Sequence, residues 1–71
     1  MLTKYDWFNV PKEVVWVATD SDRFKCYFIS KPEMMPLWWK QGGGYYRCIA
    51  PEFNEYKGNW KDSLEKRPDV M

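Results

Sequence analysis

Apolar side chains are gathered early in the chain into two short runs, Val14-Val15-Trp16-Val17-Ala18-Thr19 and Phe24-Lys25-Cys26-Tyr27-Phe28-Ile29-Ser30. Both are β-branched and aromatic and too short for independent helices, and Asp20-Ser21-Asp22-Arg23 lies between them. They read as strands near 14–19 and 24–30 of a β-hairpin. A four-residue loop sets Thr19 opposite Phe24, Val17 opposite Cys26 and Val15 opposite Phe28, with Trp16 facing Tyr27 on the other side. Both faces of this ribbon are then apolar.

Lys31-Pro32 and Met34-Met35-Pro36 interrupt the pattern, because proline removes a ladder donor and restricts the residue before it. Leu37-Trp38-Trp39-Lys40-Gln41 and Tyr45-Tyr46-Arg47-Cys48-Ile49 flank Gly42-Gly43-Gly44, where glycine can supply the positive φ of a three-residue loop. A second hairpin is predicted from strands near 37–41 and 45–49. Its register puts Trp39 across from Arg47 and Trp38 across from Cys48.

Near the end, Asn59-Trp60-Lys61-Asp62-Ser63-Leu64-Glu65-Lys66-Arg67-Pro68 carries an N-cap, an early acid, late basic residues and a closing proline. This predicts a short helix near 60–66, pinned to the sheet by Trp60 and Leu64. At the other end Asp6-Trp7-Phe8-Asn9-Val10-Pro11 reads as a capped turn in which Trp7 or Phe8 covers a sheet edge. Residues 52–58 carry no clear pattern. The expected fold is a single small domain over 1–71, mainly β (a small α+β fold), with an antiparallel sheet of about four strands built from two hairpins and a short C-terminal helix.

Composition narrows the function. Of 71 residues, 45% are hydrophobic and 20% aromatic, too apolar for a disordered segment. The net charge of +1 supplies no field to draw the chain onto duplex DNA or an anionic membrane. No stretch approaches the ~20 apolar residues of a membrane span, and the first residues lack the apolar run of a signal peptide, so a cytoplasmic location is expected. Without histidine, Cys26 and Cys48 complete neither a Cys₂His₂ nor a Cys₄ zinc site. In a reducing compartment they read as two small core residues rather than as a disulfide, the alternative for the pair.

The lack of histidine also removes the Ser-His and Cys-His pairs and the imidazole acid or base. No catalytic set, cofactor or metal is expected. Asp20 and Asp22 read as turn formers, and the three glycines lack the Gly-Lys-Ser/Thr and following helix of a phosphate-binding loop. The chemistry concentrates instead in Trp38, Trp39, Lys40, Tyr45, Tyr46 and Arg47, four rings and two cations. Such rings stack on bases at ~1–3 kcal/mol each, and Arg23 and Lys25 are further candidates to meet phosphates. Adjacent rings in a strand point to opposite faces, so one side cannot bury them all. The second face must be covered by the terminal segments, by a second copy of the chain, or by a ligand or protein.

The stretches Asp6-Trp7, Pro11, Val15-Trp16-Val17-Ala18-Thr19-Asp20 and Lys31-Pro32, with the closing Asn59 to Pro68 run, resemble those of short bacteriophage and prophage accessory proteins. The resemblance spans most of the chain, with the ends and the first strand most distinctive. It implies a phage context, a small β fold and action in the host cytoplasm, and supplies no site residue. With the ring cluster, it leads to the expectation of a non-enzymatic binding protein that antagonises host defence by sequestering a nucleotide-type immune signal, within a homo-oligomer. Two alternatives use the same rings: protein–protein inhibition of a host defence enzyme or nuclease, and single-stranded nucleic-acid binding.

Overall fold

The computed structural model describes residues 3–42 and 45–69, with Tyr45 and Tyr46 described in backbone only. Six strands run through it: β1 (Trp16–Thr19), β2 (Lys25–Phe28), β3 (Glu33–Met34), β4 (Trp39–Lys40), β5 (Tyr45–Ile49) and β6 (Glu65–Lys66). Four form an antiparallel sheet in the order β5-β2-β1-β6, and β3 and β4 pair separately. The expected class, mainly β with a four-stranded antiparallel sheet, is the one observed.

The first hairpin forms with its register moved by one residue. Trp16 pairs with Phe28, Val17 with Tyr27, Ala18 with Cys26 and Thr19 with Lys25. The connection is residues 20–24, one longer than expected, because Arg23 adopts φ 75° and extends the turn closed by its amide on the Asp20 carbonyl at 2.9 Å. A left-handed non-glycine residue costs about 1–2 kcal/mol. Arg23 offsets this through its guanidinium, which donates to the carbonyls of Tyr56 and Gly58 at 2.9 Å each.

The second hairpin is not the expected one. β4 folds back on β3, pairing Trp39 with Met34 and Lys40 with Glu33. Its turn is Met35-Pro36-Leu37-Trp38, closed by the Met35 amide on the Trp38 carbonyl at 2.8 Å. The proline read as an interruption occupies the second position of a turn, where its fixed φ is favoured. β5 pairs with β2 instead, with Cys26 opposite Cys48 and Tyr27 opposite Arg47. The expected Trp39–Arg47 and Trp38–Cys48 pairings are therefore absent, and the Gly42-Gly43-Gly44 loop lies partly outside the described residues.

The C-terminal helix is corrected to a single 3-10 turn, Trp60–Asp62. Its N-cap signal is real, since the Asn59 side chain accepts from the Lys61 amide. The turn stops because Ser63 is taken into the core, where its Oγ accepts the Thr19 amide at 2.7 Å. The chain then extends into β6, pairing Lys66 with Trp16 and Glu65 with Val17. Trp60 and Leu64 do pack on the sheet, as expected.

Alternation along the strands divides the core into two layers. On one face Val17 and Tyr27 pack with Tyr5, Val10 and Val14, and Trp7, Ile49 and Tyr56 close around them. On the other, Ala18, Cys26 and Phe28 pack with Trp39, against Trp16, Trp60 and Leu64. Both apolar faces of β1 and β2 are thus packed against the chain's own segments: the termini, as one of the three expectations had it, and on the Cys26 face also the β3–β4 hairpin, which none of the three named. Trp7 provides the expected cover at the N-terminal end, while Phe8 is 94% exposed.

Candidate functional site

Cys26 and Cys48 are not separate reduced core residues: they form a disulfide across β2 and β5, with Cα atoms 3.9 Å apart and 22 residues between them in sequence. Directly opposed strand positions project side chains from the same face, so the observed register puts the two sulfurs together. Cys26 is 2% exposed, whereas Cys48 is open to solvent.

Beside this disulfide lies a cavity of about 480 Å³, within the range of small-molecule sites. The sheet contributes Cys26, Phe28 and Cys48, and the segment around β4 contributes Trp38, Trp39, Lys40 and Gln41. Asp20 completes the lining from the β1–β2 loop. Its Oδ1 accepts the Trp39 amide at 2.7 Å, fastening the β3–β4 hairpin against the sheet. Its Oδ2 lies 3.5 Å from Cys26 Sγ. Burial, reinforced by the nearby negative charge of Asp22, pushes the Asp20 carboxyl above its ordinary value despite the opposing Trp39 hydrogen bond.

Three of the eight sequence-predicted site residues meet here, and they differ in role. Trp39 is buried: its Nε1 donates to the Thr19 carbonyl at 3.1 Å and the Trp60 carbonyl at 3.3 Å, and its ring meets Trp60 edge-on. It builds the cavity wall and presents no free face of the kind expected for stacking. Trp38 is 46% exposed and Lys40 is exposed, so these two are open to a ligand.

The remaining cations lie elsewhere. Arg23 is committed to the Tyr56 and Gly58 carbonyls and lies over the Tyr56 ring. Lys25 is only 7% exposed and donates to Glu55 Oε1 at 2.8 Å. Burial works against the Glu55 carboxylate, but the Asp6 amide on its Oε2 and Lys25 on its Oε1 hold its pKa below the ordinary value. Arg47 is exposed but pairs with Tyr27, which puts it on the face away from the cavity. Tyr45 and Tyr46 belong to β5 by backbone, and their side chains lie outside the described set.

Sequence reasoning missed Asp20, Cys26, Phe28, Gln41 and Cys48 as lining residues. The available signal was a cysteine at a sheet position in each of two strands; pairing β5 with the wrong neighbour hid it. A linked ring, carboxylate and cation at the other edge of the sheet, Trp7, Glu65 and Arg67, serve structure: the Trp7 indole donates to Glu65 at 2.7 Å and Arg67 lies 4.9 Å over the Trp7 ring.

No family model matches the chain, and no curated protein or solved structure matches it.

Proposed function

We propose that this chain is a phage-encoded, non-enzymatic binding protein that antagonises host defence in the host cytoplasm by holding a nucleotide-type signal in the cavity beside Trp38. The supporting observation is the pairing of one exposed ring with one exposed cation at a cavity of ligand size, Trp38 and Lys40 around about 480 Å³. A base stacks on Trp38, a phosphate meets Lys40, and an exocyclic amine donates to Asp20. The phage setting rests on the resemblance carried by Asp6-Trp7 and the Asn59 to Pro68 stretch. Closure of both sheet faces by the chain itself removes the need for a second copy to cover them.

Isothermal titration against a panel of cyclic and ADP-ribose-derived nucleotides tests the reading. Saturable heat is expected for at least one, and Trp38→Ala should weaken it by about 1–3 kcal/mol, the worth of one stacked base. Absence of heat across the panel overturns it. The second reading, inhibition of a host protein, is favoured by Met34, Leu37 and Trp38, which are exposed together around one hairpin. Recovery of a stoichiometric host partner, lost in Leu37→Asp, would support that reading.

A further inference from the structure

We propose that Cys26 and Cys48 form a thiol–disulfide exchange site, with Cys48 as the sulfur attacked from solvent, Cys26 as the resolving sulfur and Asp20 as the proton carrier. The co-substrate is a low-molecular-weight thiol that carries a carboxylate. This activity does not rest on nucleotide binding.

Three independent features point to it. The two sulfurs differ in access, since Cys48 is exposed and Cys26 is buried, so an incoming thiolate reaches one end of the bond. The bond borders a cavity, which gives the attacking molecule a place to sit. A carboxylate oxygen, Asp20 Oδ2, lies 3.5 Å from the buried sulfur, the one that needs a proton on leaving and must lose one on returning. Lys40 lines the same cavity and supplies a positive charge for the carboxylate of the thiol.

In the opening step R–S⁻ attacks Cys48 Sγ, a new S–S bond forms, and the Cys26–Cys48 bond breaks with its electron pair on Cys26. The Asp20 carboxyl gives its proton to Cys26, leaving R–S–S–Cys48, a Cys26 thiol and an Asp20 carboxylate. Resolution is the reverse: Asp20 takes the Cys26 proton, Cys26 attacks Cys48 Sγ and R–S⁻ departs. Alternatively a second thiolate attacks the R sulfur, releasing R–S–S–R and the Cys48 thiolate, so that two external thiols are oxidised and the protein disulfide is reduced. Asp20 is held above its ordinary pKa by burial and Asp22 against the Trp39 hydrogen bond, with Lys40 the cation lining the same cavity, so its carboxyl takes and returns a proton at a higher pH than an exposed one.

The oxidised full chain is incubated without denaturant with glutathione, β-mercaptoethanol and cysteamine at equal thiolate concentration, acid-quenched, alkylated and mapped by mass spectrometry. Adducts are expected on Cys48 alone, forming fastest with glutathione. Cys26→Ser, given oxidised glutathione, should hold the adduct on Cys48 unresolved. In the reduced chain mixed with oxidised glutathione, Asp20→Asn should slow resolution at least about tenfold near pH 6.5 and steepen its rise with pH, as expected on losing a general base. Asparagine keeps an oxygen for the Trp39 amide, and near-ultraviolet circular dichroism confirms that the variant is folded. Adducts on Cys26, no exchange in the folded wild type, no preference for glutathione, or coincident pH profiles for Asp20→Asn and wild type would each overturn the assignment.

Discussion

The two faces of the sheet are built from the same strands and end in opposite conditions. Beneath the Val17 and Tyr27 face, polar groups are spent on one another. Tyr5 OH lies 2.9 Å from Thr19 Oγ1 and donates to the Ser63 carbonyl at 2.9 Å, and Asn54 Nδ2 donates to Thr19 Oγ1 at 3.0 Å. Two cations of that side, Arg23 and Lys25, are also held by carbonyls and a carboxylate, while Arg47 there is exposed. On the Ala18 and Cys26 face, the covering hairpin leaves a cavity, an accessible sulfur, an exposed ring and an exposed lysine. Residue type therefore does not mark a binding side chain in so small a protein; what matters is whether the fold has already engaged it. No buried side-chain nitrogen or oxygen among the described residues lacks a partner.

The largest effect should come from setting the faces against each other directly. Tyr5→Ala removes a buried ring packed on Tyr56 and a hydroxyl with two partners, and should cost about 3–5 kcal/mol in urea unfolding. Trp38→Ala, on the open side, should stay within about 0.5 kcal/mol by the same measurement. Similar losses for the two would erase the distinction.

An intermediate effect is expected at Arg23. Arg23→Ala loses the clamp on Tyr56 and Gly58 but keeps the left-handed backbone, and should lose about 2 kcal/mol. Arg23→Gly relieves the backbone and should recover about 1 kcal/mol of that. Equal melting temperatures for the two variants would show that the clamp alone matters.

The smallest effect is a difference of sign in acid. Glu55, held below its ordinary 4.5, contributes stability that is present above that value and lost as pH falls through the lowered folded pKa. Asp20, raised above its ordinary 3.8, does the reverse: the native state holds the proton more tightly, and the gain present in acid fades as pH rises through the folded pKa. Between about pH 5 and 3, Glu55→Gln should flatten the acid loss of stability and Asp20→Asn should steepen it. Urea midpoints measured across that range read both slopes.

What could be read from the chain itself follows the range of the interactions. The hairpin of β1 and β2 was legible because β-branched runs around an Asp-Ser-Asp loop are a local signal. Its register was not, because an arginine accepted the left-handed position that glycine normally takes, paid for by carbonyls more than thirty positions away. The cap at Asn59 was legible too, but the helix after it was not, since Ser63 exchanges helix continuation for the Thr19 amide. The triple glycine looked like a hairpin tip and Pro36 like a break, and that inversion hid the pairing of β5 with β2. With it went the disulfide, and with the disulfide most of the cavity. Trp38 and Lys40 were named on residue type, as were Arg23 and Lys25, which the fold engages; Asp20 and Cys48 required the register.

The place of β6 beside β1 also orders events in time. β1 gains its β2 partner from residues that follow almost immediately, yet its other edge and the Thr19 amide are satisfied only by Glu65, Lys66 and Ser63, the last of these 44 positions downstream. On a ribosome the first hairpin can form early, whereas the Tyr5 layer cannot be sealed until residues 63–67 emerge. Until then Val17 and Tyr27 have an incomplete roof, and the nascent chain presents an apolar surface and an unpaired strand edge. Residues 63–67 are thus the stretch that turns a sticky ribbon into a covered one.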